Sequence, residues 1–255
     1  MTYALVQTEV TPPTLAQFKQ AFRAIKRFAE LDAVKAARQN YGVLLKGQTH
    51  EDAATLRQAF QAQGVGAKLV PDAELAKLAA PKFTRRAEFQ PQALLIYDVV
   101  GRAVPVEWKH IELIAAGNIS RVNVVSYEVE ETELVLGGEF GLTQQTVTTR
   151  NTRLDTDAVL TLDIIVAGGQ MRFQIEGDSF LFKHTFDRPD LDARQKFAEL
   201  TRQLMQRAPQ ALVNRGAAQL RNGEPAPLLY AGKQTFADES AWLLWRAKHQ
   251  VSAQP

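Results

Sequence analysis

The sequence predicts an α+β protein: a small β-α-α-β-α-β domain, then an antiparallel sheet or barrel domain closed by a C-terminal helix. Three observations predict it. Val159 to Val166 and Met171 to Glu176 alternate apolar and polar residues around Gly168-Gly169, the period of half-buried strands joined by a tight turn. Past Pro189, the residues Phe197, Leu200, Thr201, Leu204 and Ala208 recur at helical spacing, with Asp190 and Asp192 suited to the first turn. In the first 71 residues, short apolar runs alternate with amphipathic helical stretches.

In chain order, Tyr3 to Val10 reads as a strand that Pro12-Pro13 stops, and Thr14 can cap a helix. Leu15, Phe18, Phe22, Ile25 and Phe28 form one apolar stripe, with Lys19, Arg23, Lys26 and Arg27 turned away from it. A shorter helix follows from Asp32 to Gln39, then a strand from Tyr41 to Lys46. Thr49 opens a third helix that carries Ala53, Leu56 and Phe60 inward, and Gly64 ends it before a last strand, Val65 to Val70. Residues 72–92, with Pro81, Pro91, a helical piece at Ala73 to Leu78 and the pair Arg85-Arg86, read as a linker.

The second domain spans residues 93–222. Leu94 to Val100, Ala103 to Val106, Ile111 to Ala116 and Ile119 to Val129 read as strands. Glu130 to Asp157 is polar and Thr-rich and reads as a long excursion, with Leu134 to Leu142 able to form a small hairpin inside it. Ser179 to His184 reads as a third strand after the alternating pair, and a helical piece runs to Leu220 before Asn222-Gly223. Residues 223–255 hold a proline-bearing stretch and a final helix capped by Asp238 or Ser240. On that helix Trp242 and Trp245 share a face. They either dock on the body of the protein or form a partner surface.

Composition bounds the function. With 255 residues, 45% hydrophobic and 23% charged, the chain is globular by composition. A net charge of +2 is far from that of a dedicated nucleic-acid binder, so a nucleic-acid partner is not expected. There is no cysteine, which removes disulfides, thiolate metal sites and cysteine nucleophiles. MTYALVQTEV has neither the basic start nor the apolar run of a signal peptide, and a cytoplasmic protein without membrane insertion is the expectation.

The run DAVKAARQNYGVLLKGQTHEDAATLRQAFQAQGVGAKL, Asp32 to Leu69, resembles the C-terminal domain of the bacterial ribosomal stalk protein, whose fold the Clp protease adaptor shares. Ala33, Gly47, Glu51, Ala53, Leu56, Phe60 and Gly64 carry the match, and Phe22, Arg23, Ile25 and Phe28 fit that family's first helix. The resemblance implies the fold of residues 1–71. It does not imply a ribosomal role: the family's glycine-bearing turn is Arg27-Phe28-Ala29-Glu30 here, and of its contact residues only Arg23 is kept. VPVEWKHIELIAAG, within Leu94 to Ala208, resembles the second-strand region of pleckstrin-homology-like domains, and an unrelated α+β roll fits the same order. Phosphoinositide-binding members of that superfold cluster basic residues in the first hairpin loop. Here the loop offers Arg102, so lipid recognition of that kind is not implied.

No catalytic constellation is legible. His50, His110, His184 and His249 fall in separate elements with no metal-ligand spacing, so neither metal nor cofactor is expected. Phosphate-cradling glycine loops, nucleophile elbows and His-Glu metal motifs are absent from the sequence. The expected function is therefore a non-enzymatic binding or adaptor protein that meets another protein through two interaction modules. Arg23, Lys26, Arg27, Trp242 and Trp245 are its candidate binding residues. The alternatives are an enzyme or small-ligand protein with a pocket between the domains, using His184, Asp187 and Asp163, and an anionic-polymer binder acting through the basic first helices.

Overall fold

The computed structural model describes residues 1–137 and 141–249 and has an α+β architecture. Its first 71 residues run β1 (Tyr3–Gln7), α1 (Leu15–Phe22), α2 (Glu30–Gln39), β2 (Val43–Gln48), α3 (His50–Ala62) and β3 (Ala67–Pro71). Thr14 caps α1, its hydroxyl accepting from the Gln17 amide, and Thr49 caps α3 in the same way through Asp52. The strands pair antiparallel in the order β2-β1-β3. Phe18, Phe22, Leu56 and Phe60 fill the core between the helices and one face of this sheet. Gln7 is fully buried and ties the sheet locally: its amide donates to the Gly42 carbonyl, and its side-chain oxygen accepts from the Gly42 amide.

Next come β4 (Lys82–Phe83), β5 (Arg86–Phe89), β6 (Ala93–Tyr97), β7 (Ala103–Glu107), β8 (Ile111–Gly137), β9 (Gly141–Val166) and β10 (Met171–Glu176). The chain ends through α4 (Ala193–Arg207), β11 (Leu212–Val213), α5 (Arg215–Arg221), β12 (Leu229–Tyr230) and α6 (Lys233–Lys248). One sheet has the order β11-β8-β9-β10-β4, with β12 also on β8, and another the order β5-β6-β7. Both sheets, α4 and α5 share one core, with Leu94, Ile96, Leu162, Phe173, Phe197 and Leu204 among its members. The chain divides into two compact units, Met1–Ile119 with Val159–Pro255, and Ser120–Ala158. Among the described residues, the smaller consists of the remaining residues of β8 and β9.

Helix α6 is apolar on more than one side, as a buried helix must be. Trp242 and Trp245 pack with Ala4, Val6, Tyr41 and Val43 on the second face of the first sheet. Phe236 and Leu244 pack with Leu113, Ala115 and Ile165 on the sheet of β8 and β9. The helix begins after Gly232, so Asp238 and Ser240 lie inside it instead of capping it. Asp238 pairs with Lys46, and the Ser240 hydroxyl donates back to the Phe236 carbonyl.

Several expectations are corrected. Ser179 to His184 is a turn and a short 3-10 helix, Phe182–His184, and not a strand. The free side of β10 is already taken by β4, which pairs parallel to it. The segment and the residue after it instead make single hydrogen bonds to β5 and the residue before it, from the Leu181 amide to the Arg85 carbonyl and from the Thr185 hydroxyl to the Ala87 carbonyl. In Glu130 to Asp157 the described residues are strand, in β8 and β9. The polar composition suggested a loop, but Thr and Val suit extended backbone whatever their polarity. The tip of the expected hairpin, 138–140, lies outside the described residues. Within 72–92 the helical piece shrinks to Asp72–Glu74, and Lys82–Phe83 and Arg86–Phe89 form β4 and β5.

Asn214 joins α5 to β8. Its side chain accepts from the Ala116 amide and donates to the Ala116 carbonyl and to the Tyr230 hydroxyl. This approach is possible because residue 216 is glycine: a Cβ there would lie 2.0 Å from the Ala116 carbonyl oxygen. Gly216→Ala is expected to lower unfolding stability by about 1–3 kcal/mol through this overlap, read as a lower urea midpoint with unchanged slope. An unchanged midpoint would mean that α5 can shift freely away from β8.

Candidate functional site

The corner where the chain passes from β4 to β5 leaves the core open. Lys82 and Phe83 pair with Phe173 and Gln174 of β10. Thr84 then turns the chain, its hydroxyl bonded to the Arg86 and Tyr97 carbonyls and its amide donating to the Gln174 carbonyl. Beyond this corner lies a slot of about 460 Å³ between the β10-β4 edge and β6-β7, within the ~300–1,000 Å³ range of small-molecule sites. Ile96 and Phe173, both core residues, form its inner part, and Phe83, Val99, Val104 and Met171 surround the opening. Phe83 is 49% exposed and Val99 93%. A contiguous apolar opening of this kind marks an interaction site more often than a scattered surface residue does.

The rim is polar. The turn from β6 to β7 is held by Asp98, whose carboxylate accepts from the Val100 and Arg102 amides (3.0 and 2.9 Å) and from Arg102 Nε (2.8 Å). These bonds, the one from the Arg102 amide first, hold the Asp98 carboxyl below its ordinary range. Gly101 supplies the positive φ, 82°, that the turn needs. Arg86 pairs with Glu88 and lies over the Tyr97 ring. Lys82 lies 5.9 Å from the Phe173 ring centroid, and no carboxylate of the described residues forms an ion pair with it.

The residues singled out in the sequence do not converge. Trp242 is fully buried and Trp245 1% exposed; Trp242 donates through Nε1 to the Gln7 carbonyl and meets Tyr41 edge-on. They are core residues and offer no partner surface, because α6 needs them to cover the first sheet. Arg27 pairs with Asp52 and Gln48, Arg23 reaches Gln20, and Lys26 is exposed. Lys19 is paired with Glu30, so part of the basic face is neutralised within the protein.

Asp163 is fully buried, with its carboxylate oxygens accepting from Arg172 Nε (2.6 Å) and Gln174 Nε2 (2.7 Å). Burial pushes this carboxyl up, against the opposing effect of Arg172 and Gln174. It supports the sheet and is closed to substrate. His184 sits in the short 3-10 helix by β5, and Asp187 follows in exposed loop. A second cavity, about 670 Å³, is lined by Lys109, Glu112, Gln210 and Trp245 among others. Lys109 pairs with Glu107, Glu112 accepts from the Gly168 amide, and Gln210 donates to the Trp108 carbonyl. No group of three or more His, Cys, Asp or Glu among the described residues is placed to hold a metal ion. No helix among them is long and apolar enough to cross a membrane.

Sequence reasoning missed Phe83, Val104 and Met171, which come together only through sheet pairing. Two signals were present: a phenylalanine inside a proline-bearing connector, and the adjacent Val99-Val100 at a Gly turn. No known protein family, curated protein or solved structure matches this chain.

Proposed function

We propose that this protein acts by binding and not by catalysis, and that the slot between β4-β10 and β6-β7 is its binding site. The observation that carries the reading is the apolar opening itself, with Phe83 half exposed above core residues Ile96 and Phe173. The adaptor reading, with a protein partner and two interaction modules, is supported on the first module by its β-α-α-β-α-β order and its β2-β1-β3 sheet. For the pleckstrin-homology-like reading of the second, the support is the pair of sheets sharing a core with α4. An anionic polymer bound by the first helices has less support, since Lys19 and Arg27 already hold carboxylates.

The test is saturable binding of Nile red, a neutral apolar dye, followed by fluorescence in the wild type and in Phe83→Glu. A charge at this half-exposed position opposes apolar occupancy, so a loss of about tenfold or more in dye affinity is expected, with the melting temperature nearly unchanged. Equal dye binding by both proteins would remove the slot as the site.

A further inference from the structure

We propose that the slot takes the alkyl chain of a long-chain carboxylate, a free fatty acid, with its carboxylate at the Lys82 ammonium; this rests on the slot being the binding site.

The hydrogen-bonding capacity of the slot decides the class of its occupant. Thr84 is buried and its hydroxyl is committed to the Arg86 and Tyr97 carbonyls. The Asp98 carboxylate is committed to its own turn. The inner part is Ile96 and Phe173. A peptide strand entering there would leave backbone N–H and C=O groups unpaired, which is costly in an apolar site.

Pairing along β7 rescues such a strand only in part. The Asp98 amide donates to the Arg102 carbonyl, so by alternation along the antiparallel pair Ile96 and Val104 are hydrogen-bonded partners and Leu95 and Pro105 are not. Position 105 therefore faces the free edge, and proline has no N–H to offer there. A helix satisfies its own backbone but is about 10 Å across. At that width about one turn of helix fills the roughly 460 Å³ of the slot. An alkyl chain has no polar group to satisfy and is thin enough to enter.

Charge decides the head group. The acid on the rim, Asp98, is neutralised by Arg102. Lys82 lines the slot, lies against the Phe173 ring and has no carboxylate partner among the described residues. An anion at the end of an apolar chain complements this arrangement: the chain lies over Ile96, Phe173 and Val104, and the carboxylate meets Lys82.

Displacement of bound Nile red by dodecanoate and by dodecanol, its neutral counterpart, tests the proposal on the full-length protein. Dodecanoate is expected to displace the dye at lower concentration than dodecanol. Lys82→Gln is expected to weaken dodecanoate about threefold to fivefold, the size of a single exposed ion pair, and to leave dodecanol unchanged. Val104→Glu, on the opposite wall, is expected to weaken both. Dye that binds but yields to neither competitor would overturn the fatty acid and leave the slot as a site for something else. Equal competition by both, unaffected by Lys82→Gln, would overturn the role of Lys82 in selecting an anion. Failure of the wild type to bind the dye at all would overturn slot and ligand together. Circular dichroism of each variant separates loss of binding from loss of fold.

Discussion

Trp242→Ala is expected to lower the unfolding free energy by about 3–5 kcal/mol, the usual cost of deleting a fully buried aromatic side chain. Trp242 is 0% exposed, packs edge-on against Tyr41 with centroids 5.2 Å apart, and donates to the Gln7 carbonyl over 2.8 Å. Its loss opens a cavity between α6 and the second face of the first sheet. Trp242→Phe keeps much of the volume and gives up the hydrogen bond, so about 1–2 kcal/mol is expected for it.

Gly42 couples to the same contact. It has φ +74°, and a Cβ there would come within 2.3 Å of the Trp242 ring. Gly42→Ala is accordingly destabilising for two reasons, the left-handed backbone at about 1–2 kcal/mol and overpacking at about 1–3 kcal/mol. Only the second should disappear in the Trp242→Ala background, so the double variant should be more stable than the sum of the single costs implies. Chemical denaturation of the four proteins reads this directly. Simple additivity would show that the indole does not restrict residue 42, and a cost under about 1 kcal/mol for Trp242→Ala would show that α6 is not anchored through it.

Asp163→Ala is the second large effect, with about 3–5 kcal/mol lost, because Arg172 is left charged and unpaired in a site where it is itself buried. Replacing Asp163, Arg172 and Gln174 together by Leu, Met and Leu removes every member of the cluster and is expected to restore most of that loss. The pH dependence has a definite sign. Burial raises the Asp163 carboxyl above its ordinary range, so the native state holds this proton more tightly than the unfolded chain does. The site therefore costs stability at neutral pH, and the cost fades as pH falls through the folded pKa toward the ordinary carboxylate range near about 3.9. The apolar triple variant lacks this dependence, so its stability relative to the wild type should be greatest at neutral pH and should decline on acidification. A triple variant as unstable as Asp163→Ala at every pH would show that the cluster is required for packing and not as a balanced charge pair.

Local pattern alone determined the strand and helix order of residues 1–71, the caps at Thr14 and Thr49, the alternating pair of β9 and β10, and the helical stripe of α4. Each of these depends on neighbours a few residues apart, whose spacing sets which side chains share a face. The pattern did not determine what each face meets. Trp242 and Trp245 share a helix face whether they are exposed or buried. That they are buried depends on Ala4, Tyr41 and Val43 lying opposite, some 200 residues earlier in the chain. Ser179 to His184 has a strand's composition and lost the place beside β10 to Lys82 and Phe83, a competition that no local window contains.

The slot is the clearest case. Phe83, Val104 and Met171 stand alone in their own stretches of sequence and become one opening only because β4 joins β10 and the chain turns at Thr84 into the facing sheet. Periodicity along the chain is written in the sequence, whereas the gap between two sheets is set by contacts among distant residues, and only the tertiary structure decides it.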